Sequence, residues 1–152
     1  PNKRLVLVGD GSQRAALAQL AQQLGVADIT TFKGALPREQ LPEVLSDFSV
    51  FVFPSLRESF GLVAVEALAC GVPVIANAQL HAAQEYLKEG ENGYFYEGGV
   101  DGLVAAIETF HTLSAAERAA LNAQAKNVRH RFSDQQVFTQ GVNDILSRQQ
   151  SE

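Results

Sequence analysis

The chain has 152 residues, of which 46% are hydrophobic and 19% charged, a size and composition that predict one globular domain. The 12 basic residues are scattered and the net charge is −5, so no nucleic-acid partner is expected and no membrane contact is indicated. One cysteine excludes an internal disulfide, and no apolar run approaches the roughly 18 residues of a membrane span.

The first part of the chain predicts two strands separated by a helix. Residues 4–8 and 29–32 are short segments rich in β-branched and apolar residues, so they are predicted as strands. The Gly-Asp-Gly sequence at 9–11 predicts a turn after the first strand. Ser12 is expected to cap the following helix, which should end at Gly25.

The middle of the chain continues the alternation of helices and strands. A short helix is predicted over 37–45, and strands are predicted over 50–53 and 72–76. A helical pattern begins between these strands at about residue 60, and it stops before Gly71, with Pro73 soon after. Glu58 therefore falls in the loop that joins the carboxyl end of a strand to the start of a helix.

The last part of the chain predicts one more strand and three helices. Ser114-x-x-Glu117 has the spacing of a capping box, which predicts a helix start at that point. The predicted elements are an irregular stretch over 79–88, a turn at 90–93, a strand at 94–96, and helices over 100–113, from 114 to about 129, and from about 133 onwards.

Strands that alternate with helices predict parallel βαβ units with right-handed crossovers. We therefore expect an α/β fold, a Rossmann-like three-layer domain with a central parallel sheet of about six strands, over residues 1–152. Ligands of such sheets gather at the carboxyl ends of the strands, where Glu58 and the turn at 9–11 lie. That turn lacks the third glycine of a dinucleotide fingerprint, so a tight turn and a ligand contact both remain open for it.

The helix start near Gly61 is a predicted anion site. Its first N–H groups have no partner within the helix and carry a partial positive charge, which favours phosphate. Glu58 and Glu66 lie on either side of this helix start, and carboxylates repel bare phosphate but accept hydrogen bonds from hydroxyl groups. A nucleotide sugar, with hydroxyl groups on both sides of a diphosphate, fits this arrangement.

Residues 54–75 closely resemble the signature of the retaining nucleotide-sugar glycosyltransferases of the group 1 family. The matching pattern is Pro-Ser-x-x-Glu-x-Phe-Gly-Leu-x-x-x-Glu-Ala-x-Ala-x-Gly-x-Pro-Val-Ile. Residues 5–11, 32–34 and 91–95 also resemble that family, so the resemblance covers nearly the whole chain. It implies that this chain is the carboxyl-terminal, donor-binding half of a two-domain GT-B fold.

The resemblance implies roles for the residues around the helix start. Glu66 would accept hydrogen bonds from the ribose hydroxyls, and Glu58, the implied catalytic residue, would orient hydroxyls of the transferred sugar. Backbone N–H groups of Phe60, Gly61 and Leu62 would meet the diphosphate or the sugar. Transfer in the family is retaining, and we expect it here without a metal ion or another cofactor.

Further candidate contacts to the nucleotide sugar lie at three other points of the chain. Ser59 is expected to cap the helix, a role that is compatible with its N–H group also meeting phosphate. The backbone of Lys33 and Gly34 is the expected contact for the nucleotide base. Gly9 and Gly11 are candidate ligand contacts in the turn after the first strand.

The chain is expected to be one half of a cytoplasmic enzyme of cell-envelope or polysaccharide biosynthesis. It contains no methionine and opens almost directly into a strand, and no signal peptide precedes that strand. We therefore expect that an amino-terminal domain holding the acceptor is absent from this chain, and that the chain alone transfers no sugar.

One loop departs from the family pattern. Relatives often show Gly-Gly-x-Pro-Glu where this chain has residues 77–85, of which only Glu85 matches the motif. Losing the glycines removes easy access to positive φ, so the loop marks either a different donor or a degenerate site. Two alternatives therefore stay open: a non-catalytic module that binds nucleotide sugars or acts as a scaffold, and a GT-B-like sugar-nucleotide epimerase.

Overall fold

The computed structural model describes residues 3–129, and the predicted helix from about 133 lies outside them. These residues contain five β-strands and five α-helices, and they divide into two compact units after Leu41. The predicted α/β class with parallel strand pairs is confirmed. The described strands number five rather than about six, in one two-stranded and one three-stranded sheet.

The first unit is a βαβ arrangement with two parallel strands. Leu5 pairs with Thr30 at the start of the two strands, and the pairing shifts between Leu7 and Val8. The predicted cap at Ser12 is wrong, because Gln13 occupies the N-cap position and makes no side-chain cap bond. The elements of this unit are β1 (Leu5–Val8), α1 (Arg14–Gln23), a 3-10 helix (Ala27–Ile29), β2 (Thr30–Gly34) and a 3-10 helix (Arg38–Gln40).

The second unit is built on a three-stranded parallel sheet with β4 between β3 and β5. The capping box at Ser114 is confirmed: its hydroxyl accepts the Glu117 N–H at 3.3 Å, and the Glu117 carboxylate accepts the Ser114 N–H at 2.7 Å. The elements are α2 (Leu41–Ser46, which begins at the division), β3 (Phe51–Phe53), α3 (Leu62–Ala69), β4 (Val74–Asn77), a 3-10 helix (His81–Glu85), β5 (Gly93–Tyr96), α4 (Gly99–Thr112) and α5 (Ala115–Lys126).

The core of the second unit lies around β4. All four residues of this strand are buried, as expected for the middle strand of a parallel sheet, and Ile75 packs with Tyr96 and Phe110. Helix α3 buries Ala64, Ala67 and Leu68, whose spacing places them on one face. The two alanines let the helix approach β3 and β4 closely, and this packing fixes where the amino terminus of α3 lies.

None of the helices within residues 3–129 combines the length and the apolar character that crossing a bilayer requires.

Candidate functional site

The loop at residues 54–61 joins the carboxyl end of β3 to the amino terminus of α3. Phe53 anchors the strand end in the core, and Leu62 opens the helix with 40% of its surface exposed. The residues of the loop that face solvent include Glu58 and Ser59. The predicted strand, loop and helix start are therefore present in the predicted order, and the first residue of the helix, Leu62, is exposed.

Gly61 forms the N-cap of α3 in the left-handed conformation, with φ 78° and ψ 46°. Its carbonyl accepts the Ala64 N–H at 2.9 Å, and no side chain caps this end of the helix. A Cβ at this position would lie 2.6 Å from the Tyr86 hydroxyl and 2.9 Å from the Phe53 ring, so only glycine fits. Ser59 is exposed and is not the cap, because the positive φ of Gly61 starts the helix further along the chain.

The Glu58 carboxylate is exposed and weakly held. Its Oε1 lies 3.4 Å from the Ser55 hydroxyl, which also donates to the Arg57 carbonyl at 3.1 Å. Since a hydroxyl has one proton to donate, the shorter contact to the carbonyl takes it more often. Glu58 can therefore exchange this partner for a ligand hydroxyl. Glu66 is half-buried in the second turn of α3.

Tyr86 lies beneath the amino terminus of α3 and is 1% exposed. Its ring contacts that of Phe60 with centroids 5.9 Å apart, and its hydroxyl has no hydrogen-bond partner among the described residues. Burial, and secondly the charge of Glu58, raise the pKa of Tyr86 to about 12. Sequence reasoning missed this residue, because the chain alone does not show which side chains pack beneath the helix start.

The raised pKa of Tyr86 predicts a loss of stability in alkali. The unfolded chain releases this proton near pH 10, at about the ordinary pKa of tyrosine, whereas the folded protein keeps it until about pH 12. The unfolded state therefore binds fewer protons across this interval, and the free energy of unfolding falls as pH rises. We expect this one group to cost roughly 2–3 kcal/mol by about pH 12.

Urea unfolding of the wild type and of Tyr86→Phe from about pH 9 to about pH 12 isolates this contribution, because phenylalanine does not ionise. The difference between the two unfolding free energies should shift in favour of the variant as pH rises. A difference that stays constant over this range would show that the pKa of Tyr86 is not raised in the folded protein.

The candidate residues of the first unit lie where β1 and β2 end. The Gly9 N–H donates to the Gly34 carbonyl at 2.8 Å, so the structure brings these two glycines together. The Gly11 N–H donates to the Asp10 carboxylate at 2.9 Å. Of the two roles left open for residues 9–11, the structure shows the tight turn. Lys33 is exposed.

Arg14 is a residue of the first unit that sequence reasoning missed. Its guanidinium donates to the Phe32 carbonyl at 3.4 Å and lies 3.8 Å from the Asp10 carboxylate. A Cβ on Gly34, which has φ 74°, would lie 3.1 Å from the same group. A basic residue in the first turn of a helix opposes the helix dipole, and this was a signal that could have marked Arg14.

The predicted site residues thus form one group in each unit. The first unit holds the candidates at 9–11 and 33–34, and the second unit holds those at 58–62 and Glu66.

The loop that departs from the family pattern forms the 3-10 helix His81–Glu85. Asn77 opens it by accepting the Gln79 N–H at 2.8 Å, and Leu80 and Ala83 are buried beneath it. No residue other than glycine has a positive φ within residues 3–129, so this loop turns without the left-handed backbone that glycines would provide. Glu85 is exposed, and Tyr86 follows directly.

Within residues 3–129 no group of three or more His, Cys, Asp and Glu side chains is placed to hold a metal ion.

Comparison with known proteins gives consistent matches. The profile of the family described as glycosyl transferases group 1 matches residues 1–128. The D-inositol 3-phosphate glycosyltransferase of Mycobacterium marinum is 38% identical over 131 residues, which are 82% of this chain and 28% of that protein. HepE of Anabaena, solved with UDP and with UDP-glucose, superposes with TM-scores of 0.79 and 0.78 at 28% and 26% identity. These alignments cover 97% and 95% of this chain but 42% and 41% of HepE, so the chain spans less than half of these relatives.

Proposed function

The chain belongs to the group 1 glycosyl transferases, and we propose that it binds the nucleoside-diphosphate sugar of a retaining glycosyltransferase. The observation that carries this proposal is the amino terminus of α3. There Gly61, in the left-handed conformation, forms the N-cap, and no side chain caps the helix end. The exposed carboxylate of Glu58 lies in the same loop, three residues before Gly61.

In this proposal the helix end binds the diphosphate and the carboxylates bind sugars. N–H groups of Phe60, Gly61 and Leu62 donate to the diphosphate or to the transferred sugar. Glu58 accepts hydrogen bonds from hydroxyls of the transferred sugar, and Glu66 accepts them from the ribose. The backbone at Lys33 and Gly34 meets the base, and Gly9 and Gly11 are further contacts on the donor.

The same helix end would assist the reaction. As the bond between the sugar and the diphosphate breaks, negative charge develops on the leaving diphosphate. N–H groups that are already oriented stabilise this charge without reorganisation, and the helix dipole adds to the effect. Glu58 holds the sugar in position and is an orienting group rather than a nucleophile. We propose that transfer proceeds without a metal ion.

The wider setting of the reaction is also proposed. HepE of Anabaena is solved with UDP and UDP-glucose, which supports a uridine nucleotide as the donor of this chain. The acceptor would be held by a part of the enzyme outside residues 1–152. We place the protein in the cytoplasm, where nucleotide sugars are substrates, and in the synthesis of polysaccharide or of the cell envelope.

Titration of the chain with a panel of nucleotide sugars tests the proposal. Nuclear magnetic resonance follows UDP-, GDP- and ADP-linked sugars at concentrations up to the millimolar range, with free glucose as the control. We expect saturable binding of one nucleotide family and none of free glucose. If no nucleotide sugar binds, the proposed function is wrong.

A non-catalytic module that binds nucleotide sugars is the second candidate. It is favoured by the loop after β4, which forms a 3-10 helix and lacks the Gly-Gly-x-Pro-Glu sequence of the family it resembles. Sugar transfer by the enzyme that carries this chain separates the two candidates. A catalytic domain loses transfer when Glu58 is replaced, whereas a non-catalytic module gives no transfer in the wild type.

A further inference from the structure

The hydroxyl of Tyr86 is a buried polar group without a partner among the described residues. The side chain is 1% exposed, so the hydroxyl is out of contact with bulk solvent. Leaving a buried hydroxyl unpaired costs free energy of folding, and such a group in a folded protein requires an explanation.

Packing accounts for the ring of Tyr86 but not for its hydroxyl. The ring contacts Phe60 with centroids 5.9 Å apart, and phenylalanine at the same position would keep this contact. The hydroxyl instead points at the N-cap of α3, because a Cβ on Gly61 would lie 2.6 Å from it. It therefore reaches the backbone of the proposed donor site from beneath.

Glu58 carries a carboxylate that can accept a hydrogen bond from this hydroxyl. It precedes Gly61 in the same loop, and its present contact to Ser55 is a long 3.4 Å. Its charge is the second cause, after burial, that raises the pKa of Tyr86. Charge-assisted hydrogen bonds from a hydroxyl to a carboxylate are shorter and stronger than neutral ones.

We propose that Tyr86 is a positioning residue for the donor sugar: when a nucleotide sugar binds, its hydroxyl donates a hydrogen bond to the Glu58 carboxylate and holds it against the sugar. Glu58 gives up the weak contact to Ser55 in this step. The inference rests on the proposed function, because it assigns Glu58 to the sugar.

The variant Tyr86→Phe separates this role from a structural one. In the 152-residue chain, we expect its affinity for UDP-glucose to fall about tenfold, as for the loss of a hydrogen bond to a charged group, while its affinity for UDP stays unchanged. The free energy of unfolding at neutral pH should stay equal or rise, because the variant removes an unpaired buried hydroxyl. A residue that only supports the fold would not lower the affinity for UDP-glucose while leaving the free energy of unfolding equal or higher.

Two further variants make the test specific. Tyr94→Phe removes a hydroxyl from a half-buried tyrosine on β5 and should leave both affinities unchanged. In Glu58→Gln the acceptor loses its charge, so adding Tyr86→Phe should lower UDP-glucose affinity much less than it does in the wild type.

Three outcomes would overturn the role of Tyr86. They are an unchanged affinity of Tyr86→Phe for UDP-glucose, an equal loss for UDP and UDP-glucose, and a variant that unfolds more easily than the wild type. If the wild type binds a GDP- or ADP-linked sugar instead, the same variants are compared on that sugar nucleotide and on its nucleoside diphosphate. If it binds no nucleotide sugar at all, the proposed function itself fails, and this inference fails with it.

Discussion

Glu66→Ala is expected to lower the affinity of the chain for both UDP and UDP-glucose by about tenfold or more. The ribose is common to both ligands, and its hydroxyls would lose a carboxylate acceptor. A hydrogen bond to a charged group contributes roughly 1.5–3 kcal/mol, and each 1.4 kcal/mol is about tenfold in affinity. Glu58→Ala should lower the affinity for UDP-glucose by a similar factor and leave that for UDP unchanged, because Glu58 is assigned to the transferred sugar. Titrations of both variants with both ligands measure these effects.

Glu108→Ala is the matched control, because it removes an exposed carboxylate from α4 without touching the loop at 54–61. It should bind both ligands as the wild type does. If Glu58→Ala and Glu66→Ala also bind both ligands normally, the assignment of the two carboxylates is wrong.

Gly61→Ala is expected to destabilise the fold by roughly 2–5 kcal/mol. The left-handed conformation costs a residue other than glycine about 1–2 kcal/mol, and Gly61 has φ 78°. Forcing a methyl group against the Tyr86 hydroxyl and the Phe53 ring, at 2.6 and 2.9 Å, adds the cost of overpacking, about 1–3 kcal/mol. Urea unfolding gives the change in free energy.

Gly90→Ala separates the two costs of Gly61→Ala. Gly90 has φ 71°, but no atom lies within 4 Å of the position that an added Cβ would take. Gly90→Ala therefore carries only the cost of the left-handed backbone. Gly61→Ala should therefore be less stable than Gly90→Ala by about 1–3 kcal/mol. Equal stabilities of the two variants would show that Tyr86 and Phe53 do not pack against Gly61 as closely as the structure shows.

The loop before α3 was predictable because its signals are local. An apolar run marks β3, and the stop at Gly71 marks the end of α3. The first helical residue is Leu62 rather than Phe60, because the chain turns into the helix at Gly61 through a positive φ. Propensity alone does not locate such a turn to the residue.

Contacts between distant parts of the chain were not predictable in the same way. Tyr86 reaches Gly61 only because the parallel sheet and the 3-10 helix after β4 bring them together. Arg14 meets the Phe32 carbonyl through the pairing of β1 and β2. Hydrophobic periodicity identifies elements but not which side chains of separate elements meet. For this reason the unpaired hydroxyl beneath the site emerged only from the structure.

The resonances of the backbone amides during titration with UDP-glucose test whether the helix start binds the donor. We expect the largest shift changes at Phe60, Gly61 and Leu62, and no response at the amino terminus of α5. That terminus is the internal control, because the side chains of Ser114 and Glu117 already cap it. Shift changes centred on α5, or a saturable response without any change at residues 60–62, would contradict the proposed donor site.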